Sequence, residues 1–370
     1  MNAPRTVSAN AARLRASFDT PAPPTIGVEE ELMLLDAATL DLAPRASEVI
    51  AQLDGDPRFK LELPAAQVEI VLPPLHRPAD AAAQLAAARR DLLAAAGDEL
   101  RLAAAGLHPF AADQGPLNRG PRYDRTAAEF GEVARRQLVF ALQIHVAVRG
   151  ADRALAVYNA LRSYLPDLAA LAAHAPFHAG RDTGMASWRP VVSQMLPRQG
   201  VPPRLRSWDD YAHALHWVED PGRWWWELRP HPVHGTLELR VPDAQATVAD
   251  AAAIVAVAQA LAVRLAERHD VGEPLRVHDT WRIEENAWSA GRHGVEGELR
   301  DLDTGEPAPA RARLHALLDE LEPVAERLGS AGELQDARRL VERNGAMALR
   351  EASGGDPEAA TRWLMERFTV

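Results

Sequence analysis

Glu29, Glu31, Glu69 and Glu238, together with His145 and Arg240, sit in short segments where apolar and polar side chains alternate. In Thr236-Leu-Glu-Leu-Arg-Val241, a period of two puts Thr236, Glu238 and Arg240 on one face and Leu237, Leu239 and Val241 on the other. In Thr25-Ile-Gly-Val-Glu-Glu-Glu-Leu-Met33, Glu29, Glu31 and Met33 share a face, and Val28, Glu30 and Leu32 share its opposite. Glu69 stands opposite Val68 and Ile70, and His145 opposite Ile144, Val146 and Val148. If these segments join one sheet, their carboxylates and imidazole converge. Two carboxylates about 4 Å apart repel by roughly 4 kcal/mol at an effective dielectric near 20, so such a cluster needs protons or cations. Carboxylates with one imidazole and no thiolate suit Mg2+ or Mn2+ better than zinc. A single strand glutamate is more commonly solvated or ion-paired, so the set, not any one member, carries the expectation.

The elements around these strands follow in order. Residues 1–24 end in Pro21-Ala-Pro-Pro24 and read as a loose tail. Glu62, seven residues before Glu69 and across Pro64, can approach the strand site from a turn. An Ala- and Leu-rich helix is expected over residues 78–105, closed by Gly106. An irregular stretch over 111–125 has the length of a functional loop. His108, just before a proline, reads equally well as a turn residue. A helix over 152–174 should break near Pro166, and a loop over 180–190 carries Arg181 and Arg189, guanidinium donors suited to phosphate or carboxylate. Another helix is expected over 207–219, and of Trp224, Trp225 and Trp226 at least one should cover a groove or interface. Thr247 opens a buried helix, whose apolar run over 251–263 is too short to span a bilayer. A loop over 282–294 holds Asn286, Arg292 and His293, and residues 308–367 are helical and charged. The economical reading is one α+β domain over 25–370 with a helical C-terminal portion.

Composition narrows the function. A chain of 370 residues with a formal charge of -11 and no Lys/Arg cluster argues against nucleic acid, and no long apolar segment argues for a membrane. The absence of cysteine excludes disulfides, thiolate metal sites and a cysteine nucleophile, and fits the cytoplasm. Lys60 is the only lysine, and no G-x-x-x-x-G-K-[ST] phosphate loop is present.

Several segments in fixed order resemble the carboxylate-amine ligases of the glutamate-cysteine ligase type 2 family. They are Thr25-Ile-Gly-Val-Glu-Glu-Glu31, Gln67-Val-Glu-Ile70, His108-Pro-Phe110, Arg122-Tyr-Asp-Arg-Thr126, Gln143-Ile-His-Val146, Asp182-Thr-Gly-Met-Ala-Ser-Trp-Arg189, Glu227-Leu-Arg-Pro230, His234-Gly-Thr-Leu-Glu-Leu-Arg240 and Asn286 to Gly294. The resemblance implies a glutamine synthetase-like catalytic domain, an antiparallel concave sheet backed by helices, with Mg2+ held between sheet and ATP. By position it implies metal binding by Glu29, Glu31, Glu62, Glu69, His145 and Glu238. Arg240 would face the transferred phosphoryl group as a catalytic residue beside Glu238. Arg189, Arg229, Asn286 and Arg292 would bind substrate or ATP. It also implies small-molecule amino acid and amine substrates and a homodimer.

The implied reaction activates a carboxylate by phosphoryl transfer from ATP and lets an amine attack the acyl phosphate, with glutamate and cysteine as the family pair. Two departures bear on substrate. Where relatives often read His-x-His, this chain has Gln143-Ile-His145, and an arginine of some relatives is Gly184. A ligase for another acid and amine, or a non-catalytic nucleotide-binding protein, are the alternatives; a guanidino kinase lacks the cysteine such enzymes use.

Overall fold

The computed structural model describes residues 3–20, 25–218 and 224–369. Its strands are β1 (Ile26–Asp36), β2 (Phe59–Leu61), β3 (Gln67–Val71), β4 (Leu100–Ala103), β5 (Leu142–Ala147), β6 (Phe177–His178), β7 (Arg181–Asp182), β8 (Leu228–His231), β9 (Thr236–Leu239), β10 (Glu298–Arg300) and β11 (Pro307–Pro309). β6 pairs with β7 and β10 with β11 as separate two-stranded units; the other seven form one sheet. Its order is β2-β3-β1-β5-β9-β8, with β4 beside the far end of β1, and every pairing is antiparallel. The four acid- or imidazole-bearing segments are therefore the adjacent strands β3, β1, β5 and β9.

The apolar residues of those strands face helices. Val28, Leu32, Val68, Ile70, Ile144, Val146, Leu237 and Leu239 are fully buried, in a core cluster that also takes in Ala11 near one end of the chain and Phe368 near the other. Glu30 shares this apolar side of β1 and is kept there by Arg89 of the helix Pro78–Ala96, whose guanidinium donates to both carboxylate oxygens. The helix Val248–Asp270 packs on the Pro78–Ala96 helix and on β5, and Thr247 caps it by accepting from the Asp250 amide. At 23 residues it is long and apolar enough to cross a membrane, contrary to the expectation from length, but 78% of its apolar window is buried inside the protein. Burial, not length, makes it a core helix.

Five expectations are corrected. Residues 3–19 form a helix rather than a loose tail, since Ala11, Leu14 and Phe18 find a core and the Phe18 ring packs 4.9 Å from Trp208; Pro21 to Pro24 lie outside the described residues. The helix expected through residue 105 ends at Gly97, whose φ of 65° terminates it, and Leu100–Ala103 pair with β1 instead. Gly106 serves close approach rather than capping, because a Cβ there would lie 2.7 Å from the Asp243 carboxylate. The loop expected over 282–294 is a helix, Thr280–His293. Part of the irregular stretch is helical as well, as Pro121–Phe130. The break near Pro166 is a 3-10 turn, Arg162–Tyr164, between the helices Ala151–Leu161 and Leu165–Ala172.

Candidate active site

Strand register builds the polar face. Glu31 pairs with Glu69, Glu69 with Lys60, Glu29 with Gln143, Gly27 with His145, and His145 with Glu238, which in turn pairs with Arg229. Side chains directly opposite in such pairs are neighbours. Gly27 leaves the width His145 needs, since a Cβ there would come within 3.3 Å of the imidazole's own Cβ.

At the β9 end, charge is compensated. Arg229 Nε donates to Glu238 Oε2 and Arg240 Nη1 to Glu238 Oε1, each at 2.6 Å. Burial opposes ionisation of Glu238, but the two guanidiniums outweigh it and hold the carboxyl far below the usual range. Arg240 also donates to Gln143 Oε1, and Gln143 Nε2 donates to Glu31 Oε1 at 2.7 Å. A neutral amide thus relays between a cation and an acid.

At the β3 end, charge is only partly compensated, with Arg122 Nη2 3.6 Å from Glu62 Oε1. Burial, with Glu62 adding repulsion, pushes Glu31 up to about 7 although the Ala141 amide donates to it at 2.7 Å. Glu69 is raised well above the ordinary value by burial and by Glu62, Glu29 and Glu31. Glu62 is raised by burial, against the pull of Arg122 and Arg240. Between the two ends, His145 Nδ1 bonds Thr236 Oγ1 at 2.9 Å. Its Nε2 has no hydrogen bond and lies 3.5 Å from Glu29 Oε1 and 4.0 Å from Glu238 Oε2. Burial works against the Glu29 carboxylate, but this imidazole holds it below its ordinary value.

These donors fit a hard divalent cation: buried carboxylates driven toward protonation and an imidazole nitrogen without a partner are what an ion would relieve. Among the described residues, no three of them converge closely enough to hold an ion in this arrangement.

The remaining expected ligands fall elsewhere. Arg189 is buried, its Nε donating to Asp243 Oδ1 at 2.6 Å and Nη2 to the Val241 and Arg240 carbonyls, so it fixes the segment after β9 rather than meeting a ligand. Asn286 is buried and spends its amide on the Arg300 backbone, at 2.8 and 2.7 Å. Arg292 lies against Gly184, where a Cβ would be 3.6 Å from its Nη1, and fills the space that departure opens. Asn286 shares the buried face of Thr280–His293 with Ile283 and Ala290, which explains its loss to the cleft. His108 accepts from the Phe110 and Ala111 amides, and burial lowers it to about 4, a turn residue in the bland sense.

The stretch 111–125 and the run Trp224 to Trp226, expected to carry a functional loop and to cover a groove, each contribute to the cleft. A cavity of about 370 Å³ over Glu31, Glu62 and Arg240 is walled by Arg122, Tyr123 and Trp225. Alternation could have found Trp225: Trp224 is core and Trp226 packs against it, while Trp225, Glu227, Arg229 and His231 share the other parity. Lys60 is the cross-strand neighbour of Glu69.

With this geometry in view, comparison places the chain among known proteins. The profile described as "Glutamate-cysteine ligase family 2(GCS2)" matches residues 25–361. A protein of Rubrobacter xylanophilus named "Putative glutamate--cysteine ligase 2-3" is 38% identical over 94% of this chain and 94% of its own. One of Frankia casuarinae named "Putative glutamate--cysteine ligase 2-1" is 32% identical, over 96% and 98%. Among solved structures, a glutamate–cysteine ligase from Francisella tularensis in complex with AMP superposes with a TM-score of 0.69 at 12% identity, covering 94% of this chain and 88% of that one. A bifunctional glutathione synthetase from Pasteurella multocida gives 0.62 at 15%, covering 98% and 54%. At those identities the structural likeness speaks to fold alone.

Proposed function

Because the chain belongs to glutamate-cysteine ligase family 2, we propose that its cleft binds ATP and an amino acid, activates the acid's carboxylate as an acyl phosphate, and joins it to an amine. Glutamate is the acid this reading names first, and cysteine is the amine in the relatives' names. A carboxylate is a poor electrophile; transfer of the γ-phosphoryl group supplies a leaving group, and such transfer chiefly requires positioning and charge neutralisation.

The observation that carries the proposal is the division of the polar face into a compensated end and one only partly compensated. Arg240, locked between Glu238 and Gln143, presents fixed positive charge toward the cavity over Glu31 and Glu62. Glu29, Glu31, Glu62, Glu69, His145 and Glu238 are the residues that would hold Mg2+ or Mn2+, which when bound would draw nucleotide phosphates to the sheet and offset their charge. Arg122 and Tyr123 would close the cavity over the substrates. The reading includes a homodimer acting on small molecules in the cytoplasm, with sedimentation as the check on the dimer.

The test is ADP release with Mg-ATP and glutamate, scanned across amines including cysteine, beside Glu29→Ala and Glu238→Ala. Release that needs both substrates and vanishes in the variants supports the ligase. ATP binding without release for any acid and amine would leave a nucleotide-binding protein instead.

A further inference from the structure

The ligase reading leaves one requirement unassigned. An amine reaches the site as an ammonium ion and must lose a proton before it can attack. Beside the cavity over Glu31 lies a second one of about 420 Å³, and the two share Leu196 and Gln199 in their walls. Glu227 lines it. Glu227 stands two residues before Arg229, and its carbonyl accepts from the Arg240 amide at 2.7 Å, so it borders the catalytic strand pair directly. Among the described residues its carboxylate has no hydrogen-bond partner, although the surrounding acids and arginines on this face are almost all engaged. Burial, aided by Asp243 and resisted by Arg189, pushes it up to about 7. A half-buried carboxylate in a cavity wall, with no hydrogen-bond partner among the described residues, is placed to accept from a ligand ammonium.

The rest of the wall says what that cation carries. The wall mixes polar groups such as Gln194 and Arg198 with an apolar portion formed by Met185, Val191, Val201 and Trp288. Cysteine would leave most of this apolar surface uncovered; an amine with a larger hydrocarbon body would fill it.

We propose that this cavity is the acceptor site, that it takes a primary amine bearing an apolar or aromatic body, and that Glu227 is the catalytic residue that binds its ammonium group and accepts its proton. The inference rests on the ligase reading. The Glu227 carboxylate takes one proton from the ammonium, and the freed nitrogen lone pair forms the C–N bond at the acyl phosphate carbon. The C–O bond to phosphorus breaks, phosphate leaves with that electron pair, and it carries away the second proton.

Hydroxylamine separates this role from a structural one, because it is largely unprotonated at neutral pH and attacks acyl phosphates without a base. With Mg-ATP and glutamate, wild type and Glu227→Gln should form hydroxamate at similar rates. Glu227→Gln should lose roughly 100-fold or more in kcat/KM for phenylalanine or leucine as acceptor. Trp288→Ala, at a side chain 62% exposed and so outside the core, should raise KM for these acceptors about tenfold and leave hydroxamate formation unchanged. Equal loss of both activities in Glu227→Gln would overturn the base assignment. A preference for cysteine over the larger amines, unmoved by Trp288→Ala, would overturn the substrate class. Wild type that forms no hydroxamate while binding ATP would instead sink the ligase reading beneath it.

Discussion

Glu238 shows how one residue can serve stability and chemistry together. It lies buried between Arg229 and Arg240, and removing its charge leaves two guanidiniums facing each other without a counterion. Breaking a buried ion pair from one side costs about 3–5 kcal/mol, so Glu238→Gln should lower unfolding free energy by about that much in urea titration, besides abolishing turnover. Loss under about 1 kcal/mol would mean that water already compensates the arginines. Glu31 makes the opposite case. Its pKa is raised from 4.5 to about 7 in the fold, so the folded state holds its proton more tightly than the unfolded chain. The stability that this proton confers is fully present below about 4.5 and is lost as pH rises toward 7. On the proposed reading, a divalent ion bound here would take over the proton's role above that range. Thermal midpoints should therefore rise on adding Mg2+ much more at pH 8 than at pH 5, and an equal rise at both would separate the ion from these acids. Residue types and parity made the acids legible in sequence. Their partners were not, because Gln143 reads as a lost imidazole until its amide is seen joining Glu31 to Arg240.

Elements were legible where period and chemistry agreed. β1, β3, β5 and β9 each alternate cleanly, and their pairing follows from burying one face. Thr280–His293 misled because its Gly, Ser and Asn suggest a loop, whereas Ile283 and Ala290, seven apart, give it a buried stripe. Its Asn286 accordingly clamps β10 instead of a ligand. Asn286→Ala removes two part-buried hydrogen bonds and should cost about 1–3 kcal/mol, while KM for ATP stays unchanged; a rise in that KM would restore the ligand role. The turn between β8 and β9 ties the first helix to the site. Gly235 has φ of 62°, and a Cβ there would fall 2.1 Å from the Ser17 carbonyl oxygen. Gly235→Ala should push the helix Ala3–Asp19 off the turn, and limited proteolysis should then cut within that helix faster than in wild type.

At the scale of the molecule, the site depends on a charge buried behind it. Arg89 has no exposure; besides gripping Glu30 it donates to the carbonyls of Gln245, Ala246 and Phe368. One side chain thus joins β1, the segment leading to the Val248–Asp270 helix, and the end of the Pro357–Arg367 helix. Glu30 stands between Glu29 and Glu31, so the grip that fixes its face also fixes theirs, since a one-residue slip would exchange the two sides of the strand. Alternation puts Glu30 on the apolar face, but sequence could not show what holds it there, because the partners lie 59 to 279 residues apart. Arg89→Met leaves Glu30 buried and unpaired and should cost about 3–5 kcal/mol. Adding Glu30→Gln removes that charge, so the double variant should recover at least about half of the loss, while the three freed carbonyls keep it below wild type. Urea titration of wild type, both single variants and the double closes the cycle. A double variant no more stable than Arg89→Met would show that the carbonyl contacts, not the ion pair, hold the C-terminal helix to the sheet.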